Sequence, residues 1–397
     1  MAGPPPLDGI RVLEVGNFMA GPFCTMQLAD LGADVVKVEN PAGGDHVRLT
    51  PPFLEGESSN FVRLNRNKRS LALDLKSAEG KVIFRKLARR ADVIVENLRP
   101  GTMTDLGLDY PRLCEENPGL VYVAASGWGQ TGPYAELAGL DIMAQGMSGL
   151  MSITGTAGGE PVKVGVPICD LVCALYGALA AVSALRARER DGKGQFIDVS
   201  LFESGVSLAI WEAGRYFATG EVPAPLGSAH QSTAPYQAFR AEDGFFTAGV
   251  PSPNLWNAFL RVLGLERLEL DARFASNADR HANRPELIPL IEAVTATRSR
   301  AHWLAAFRQA GVPCGAIQTY DQVFNDPHLA ERGYFWDASH AAIGEVRQLG
   351  SPMRLAATPP RRDTAGPALG QHSAEVLAEL GYSAAEFKEL RDRSITA

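Results

Sequence analysis

The sequence predicts an α/β protein. A doubly wound, mostly parallel, Rossmann-like sheet forms a large domain, with a smaller α+β domain beside it. Three observations predict this. Strand-like and helix-like patterns alternate over the first third of the chain. A stretch rich in Pro, Gly and Ser, residues 219–237, breaks that alternation. Beyond it, helical patterns dominate, with one clear strand pattern, GFFTAGV at 244–250.

Each element follows from local signals. IRVLEVG (10–16) is apolar on both faces, as a buried strand requires. GPFCTMQLADLG (21–32) carries Pro22 where a first-turn proline is tolerated and ends on Gly32, so it predicts a helix. ADVVKVE (33–39) is the next strand, and a polar loop follows. KSAEGKVIFRKLARR (76–90) is amphipathic with Ser77 as its cap. ADVIVEN (91–97) and GLVYVAASG (119–127) are further strands. Such sheets bind ligands at the carboxyl ends of their strands, so the loops after Val15, Val38, Val95 and Ala125 carry the information. VKVGVPIC (162–169) predicts a strand with a Pro break, running into an apolar helix. The tail, 371–392, predicts two short helices split by Gly381. The expected domains are a large one from 1–205 and 323–397, a linker at 206–226, and a small one at 227–322.

Composition narrows the function. At 397 residues the core is large enough to dispense with staples. The net charge of -7 argues against nucleic-acid binding. Cys24, Cys114, Cys169, Cys173 and Cys314 are odd in number and form no CxxC, which suits a reducing compartment, the cytoplasm. Seven dispersed histidines form no HExxH, so no metal site is expected. The uncharged run 171–185 reads as too short and too Ala-rich to span a bilayer, so no membrane partner is expected.

Three chemistries compete. Hydride transfer would use the turn after the first strand, with Glu39 on a ribose. That turn reads GNFMAGP rather than GxGxxG, and Glu39 reads equally as a solvated strand end. ATP-driven ligation lacks a GxxxxGK[ST] loop; RDGKGQ (190–195) is a turn. The third is acyl transfer through a carboxylate. Asp170 stands alone at the head of an apolar segment. From position alone it is also a simple helix cap, worth ~1 kcal/mol. It lies where a strand end meets a helix start, and small residues follow: Ala174, Gly177, Ala178, Ala180 and Ala181. An ionised acid held rigidly there can attack an activated carbonyl.

Five ordered blocks carry a resemblance: 7–48, 65–76, 91–108, 126–135 and 192–201. Together they resemble the class III coenzyme A transferases, the CaiB/BaiF family, and in feel the branch that uses succinyl-CoA and other dicarboxylates. The resemblance implies that Asp170 is the nucleophile. It passes through an aspartyl anhydride and an aspartyl-CoA thioester as CoA moves from a donor acyl-CoA to a carboxylic acid. CoA and acyl-CoA are then substrates, no cofactor is permanently bound, and the chain is an interlocked homodimer. The resemblance lays Asn17, Phe18, Met19 and Ala20 along the CoA, with Lys76 and Asn97. Arg48 and RLNRNKR (63–69) supply local cations for its phosphates. Gly127, Gly129 and Gln130, in SGWGQTGPYA, form a candidate wall with backbone donors. His230, Gln231 or Ser232 would meet a distal carboxylate in GSAHQSTAPY (227–236), a candidate lid. Two alternatives stay open: a 2-methylacyl-CoA racemase of the same family and a non-catalytic acyl-CoA binder. The racemases need a histidine where this chain has Leu140, and leucine cannot move a proton.

Overall fold

β1 (Arg11–Val15) and β2 (Asp34–Glu39) form where apolar residues fill both sheet faces. A two-residue hairpin, β3 (Phe53–Leu54) and β4 (Glu57–Ser58), follows. The sheet continues with β5 (Lys68–Ala72), β6 (Val93–Glu96), β7 (Val121–Ser126) and β8 (Phe196–Ser200). Its order is β5-β2-β1-β6-β7-β8, and every neighbouring pair is parallel. This computed structural model describes residues 3–397. The polar stretch after β2 thus holds one more sheet strand, β5, than sequence patterning showed. Its KRSLA pattern starts on two charges, Lys68 and Arg69.

From β1 the chain builds outward through β2 to β5, then returns to place β6, β7 and β8 on the other side. The strand order therefore reverses between β1 and β6, and the loops leaving these two strands part and open a crevice. Leu13, Val38, Ile94 and Tyr122 face one core with Phe84, Leu87 and Leu377. Val12, Val35, Val93 and Val123 face the other with Leu28, Ala174 and Ala181.

The second core rests on the helix Ile168–Asp191, which packs on β7, β8 and the helix Ala20–Asp30. A side chain at Gly177 would place its Cβ 3.3 Å from Cys24 Sγ, so small residues let these helices approach. At 24 residues, with mean hydropathy 2.0 in its most apolar window, this helix is long and apolar enough to cross a membrane. That corrects the shorter sequence estimate, which counted only the uncharged run. Its Cys and Ala side is nonetheless core: Cys169, Cys173, Ala174, Ala178, Ala181 and Ala184 are buried.

The chain divides into two compact units. The first comprises the chain through Leu150, Lys163–Gly214 and His328–Ala397; the second comprises Met151–Val162 and Arg215–Pro327. The second holds an antiparallel sheet of β9 (Tyr236–Ala241), β10 (Gly244–Gly249) and β11 (Cys314–Ala316), in the order β11-β10-β9. Phe239, Phe246, Phe259 and Phe307 form its aromatic core. Within the span expected as linker, 206–226, the structure has a helix, Ile210–Thr219. The tail brings a hairpin that sequence patterning did not show, β12 (Phe335–His340) and β13 (Gly344–Leu349). Its helices, Ser373–Glu379 and Ala384–Asp392, flank Gly381, which has φ 90°.

Candidate active site

A cavity of about 960 Å³ opens in the first unit at the crevice between the β1 and β6 loops. Asn17, Phe18, Met19, Ala20, Asn97, Gly127 and Asp170 all line it. In the sequence these residues lie in four separate stretches.

The loop after β1 is shaped by its neighbours. The Asn17 N–H donates to Asn97 Oδ1 at 2.9 Å, and Asn97 Nδ2 donates back to the Asn17 carbonyl at 2.9 Å. The Asn97 amide thus clamps the loop's backbone from the end of β6. A Cβ at Gly16 or Gly21 would meet Asn97 Oδ1 at 2.9 or 2.8 Å, which fixes glycine at both positions. Phe18 sits at φ 60°, a left-handed conformation that a bulky residue rarely adopts. Its N–H donates to Asp45 Oδ1 at 3.1 Å, and its exposed ring stacks on His46. Strain of this kind persists where the surroundings over-determine it.

Beneath the loop lies a buried charge network. Lys37 Nζ donates to Glu14 Oε1 at 2.5 Å and to the Gly16 carbonyl at 2.9 Å, and pairs with Asp45 at 2.9 Å. Lys68 Nζ donates to Glu14 Oε2, the Pro22 carbonyl and Asn65 Oδ1, each at 2.8 Å. Burial pushes the Glu14 carboxyl up, but the two ammonium groups outweigh it and hold it at about 2. These ions brace the backbone on either side of the loop.

Asp170 is not a helix cap. The helix starts at Ile168, so Asp170 is its third residue, and the cap position is Pro167, whose side chain bonds nothing there. Nor is 162–169 a strand. Val164 donates its N–H to the Gln145 side chain at 2.8 Å instead of to a sheet. The capping is done from another helix. Asp141, first residue of Asp141–Met147, accepts the N–H groups of Cys169 at 2.9 Å and Asp170 at 3.4 Å. Gln145 Nε2 holds the other Asp141 oxygen at 2.6 Å. With the cap thus supplied, the Asp170 carboxyl has no protein hydrogen-bond partner among the described residues and faces the cavity. Burial, and then the like charge of Asp141, push it up to about 7. Asp141 stood in the sequence as an acid opening a helix, but no spacing tied it to a helix start 27 residues onward.

The second wall is a crossing of two chains. A Cβ on Gly127 would lie 2.8 Å from Gly139 Cα, and the reverse holds for Gly139. Both glycines line the cavity, so the close approach first serves backbone packing against backbone. Gly129, at φ 93°, donates to Ser126 Oγ at 3.0 Å, and the Gln130 N–H donates to Asp198 at 2.9 Å. These bonds fix the turn, and neither residue lines the cavity.

Other expected residues do not line the cavity. Arg48 is half-buried, with its guanidinium forked onto Glu39 at 2.7 Å twice, bonded to the Pro367 carbonyl and laid 3.6 Å over the Phe61 ring. Its charge is answered inside the fold by Glu39. Lys76 is exposed in the turn before the helix Ala78–Ala88 and does not line the cavity. His230 and Gln231 belong to the second unit. The His230 ring stacks on Tyr236 at 4.8 Å, and the Gln231 carbonyl lies 3.0 Å from His281 Nε2. Arg63 and Arg66, from the basic stretch, do line the cavity, whereas Arg69 is tied to Asp34, Glu375 and Glu379 elsewhere.

A half-buried carboxyl that ionises near neutrality, at the positive end of a long helix and in a cavity lined mostly by apolar side chains, is suited to nucleophilic attack on a carbonyl. Comparison with known proteins agrees in kind. The sequence profile of CoA-transferase family III matches residues 7–373. A succinate–glutarate CoA-transferase of Agrobacterium fabrum is 39% identical over 383 residues, covering 95% of this chain and 96% of the relative. A succinyl-CoA:glutarate CoA-transferase of Mus musculus is 37% identical over 376 residues, covering 94% and 86%. The crystal structure of a CaiB/BaiF family protein from Brucella suis superposes with a TM-score of 0.86 at 40% identity, covering 95% of this chain and all of that one.

Proposed function

The chain belongs to CoA-transferase family III and is a CoA-transferase, and from that premise we propose that it moves CoA from succinyl-CoA or a related acyl-CoA to an acceptor carboxylate through covalent intermediates on Asp170. An Asp170 oxygen attacks the donor thioester carbonyl. The C–S bond breaks, the CoA thiolate leaves, and a mixed anhydride remains. The thiolate then attacks the Asp170 carbonyl carbon, releasing the donor carboxylate and leaving an aspartyl-CoA thioester. The acceptor carboxylate attacks that thioester, and the thiolate finally attacks the acceptor's acyl carbon, freeing Asp170. One thioester is broken and one is made, so the cycle balances without nucleotide or resident cofactor.

The observation that carries this reading is the placement of Asp170 on the cavity wall with its carboxyl raised to about 7. A more basic carboxylate is the better nucleophile, and at neutral pH about half of it is ionised. The mostly apolar lining disfavours the water that would hydrolyse an anhydride. Leu140 lines the same cavity next to Asp141 and offers no proton, which supports transfer over racemisation. The test is exchange between succinyl-CoA and a panel of carboxylic acids, with Asp170→Ala alongside. New CoA esters from the wild type, none from the variant, and a CoA adduct on the Asp170 peptide of trapped enzyme are expected. Epimerised 2-methylacyl-CoA without exchange would mean a racemase; tight binding with neither would mean a binder.

The same reading makes the protein a cytoplasmic homodimer. Leu175, Tyr176 and Leu179 leave an apolar stripe exposed along the long helix, which a second copy would cover. Sedimentation should give the mass of two chains.

A further inference from the structure

Apart from Asp170 itself, Arg63 is the charged residue of the cavity that combines partial burial with a charge unanswered among the described residues. Asp141 is spent on the helix start, and Arg66 is forked onto Asp30 at 3.0 and 2.6 Å. Lys163 is exposed and turns its ammonium to the Val164 carbonyl at 3.2 Å. Arg63 sits in the last turn of the helix Ser59–Leu64 and forms no ion pair among the described residues. Its Nη1 donates to the Ser59 carbonyl at 2.8 Å and to Ser59 Oγ at 2.6 Å. Those bonds fix one edge of the guanidinium. Its Nε and Nη2 have no protein acceptor among the described residues.

Resting on the proposed CoA transfer, we propose that Arg63 is the residue that selects dicarboxylic substrates, by binding the carboxylate at the far end of the acyl chain through Nε and Nη2. The Nε–Nη2 edge is the one that takes a carboxylate in two parallel hydrogen bonds. The head is partly desolvated, which already lowers its basicity, and an anion restores what burial removes. Arg63 and Asp170 line the same cavity, and the proposal requires a substrate to span it, with its carbonyl at Asp170 and its far carboxylate at Arg63. This assigns to Arg63 the part that sequence reasoning had given to His230, Gln231 or Ser232.

The alternative anion is a phosphate of CoA itself, common to every substrate. The two sources separate in one experiment. kcat/KM is measured for wild type, Arg63→Met and Arg63→Lys with two donors of equal chain length, succinyl-CoA and butyryl-CoA, which differ in carboxylate against methyl. Arg63→Met should lose roughly 100-fold more on succinyl-CoA than on butyryl-CoA, since a site built around a charge is left unpaired. Arg63→Lys should recover part of that ratio. Equal losses on both donors would assign Arg63 to a CoA phosphate and overturn the proposal, as would no loss on either. Binding of the same two thioesters in the Asp170→Asn background, by calorimetry, reads the selection without turnover. If wild type transfers no CoA, the functional reading fails on its own. The binding ratio still decides Arg63: it must fall when Arg63→Met is added.

Discussion

Replacing Asp170 by Asn should make the protein more stable while removing its activity. The carboxyl has a folded value of about 7 against an ordinary 3.8, because it is buried beside Asp141. Asparagine has nearly the same shape and resembles the protonated acid, but never ionises. The sign follows from linkage. A carboxyl raised on folding costs nothing well below 3.8. Its cost grows as pH rises and is complete above about 7, when the folded protein too must carry the charge. The ceiling is about 3 pKa units at ~1.4 kcal/mol each, roughly 4 kcal/mol. Asp170 is only half-buried, and water screening reduces this to about 2 kcal/mol. With ~2 cal/mol/K of unfolding entropy per residue, a chain of this length gains about 1 °C per kcal/mol, so Tm should rise ~2 °C at pH 8.5. At pH 5 the gain should shrink to about a third. The assay is thermal unfolding of both proteins across pH 5–8.5 in one buffer series. A variant no more stable than wild type at pH 8.5, or a gain independent of pH, would refute the claim that this site holds an acid against its preferred state.

Four further outcomes are expected. The kcat/KM of wild type should rise with pH around a midpoint near 7, because the ionised Asp170 attacks; a flat profile from pH 6 to 8 would count against it. Asp141→Asn removes the like charge but keeps an acceptor for the Cys169 and Asp170 N–H groups, so that midpoint should move to lower pH; an upward move would show that the charge of Asp141 does not act on Asp170. Glu14→Gln leaves the buried Lys68 without its carboxylate and should cost about 3–5 kcal/mol in urea unfolding; a loss under about 1 kcal/mol would contradict the account of the network. Gly127→Ala drives a Cβ to 2.8 Å from Gly139 Cα, so exchange should fall at least about tenfold, and unchanged turnover would show that the crossing does not shape the site.

The strands β1, β2, β6 and β7 were legible because both their faces are core, leaving runs such as VLEV and VYVAA that little else explains. β5 was not, since Lys68 and Arg69 disguise it: the first is spent on Glu14 and the second on Asp34, partners far off in sequence. The hairpin β12–β13 alternates buried and exposed positions along FWDASH and GEVRQL with few apolar residues, so its period was faint. At the site, the strand-end rule brought out the loops 17–20, 97 and 125–127, and Asp170 was conspicuous by isolation. Its partner Asp141 was invisible because a cap supplied from another helix has no sequence period. Arg48 shows the opposite limit: a basic residue in a loop gives no sign of a carboxylate partner, Glu39, until the fold brings the two together.

The sheet's outer edge is closed late. Leu73, just past β5, bridges Thr396; Thr396 Oγ1 donates to the Ala72 carbonyl, and the Asp74 N–H donates to that of Ile395. Some 320 residues separate these partners. At ~5–20 residues per second of synthesis, that edge waits roughly 15–65 s on the ribosome for its seal. During that wait the second unit, whose residues end at Pro327, has emerged in full. Until then β5 has β2 on one side and no partner on the other, and Arg69, whose partners Glu375 and Glu379 also come late, sets a charge at that edge against pairing with a neighbouring nascent chain.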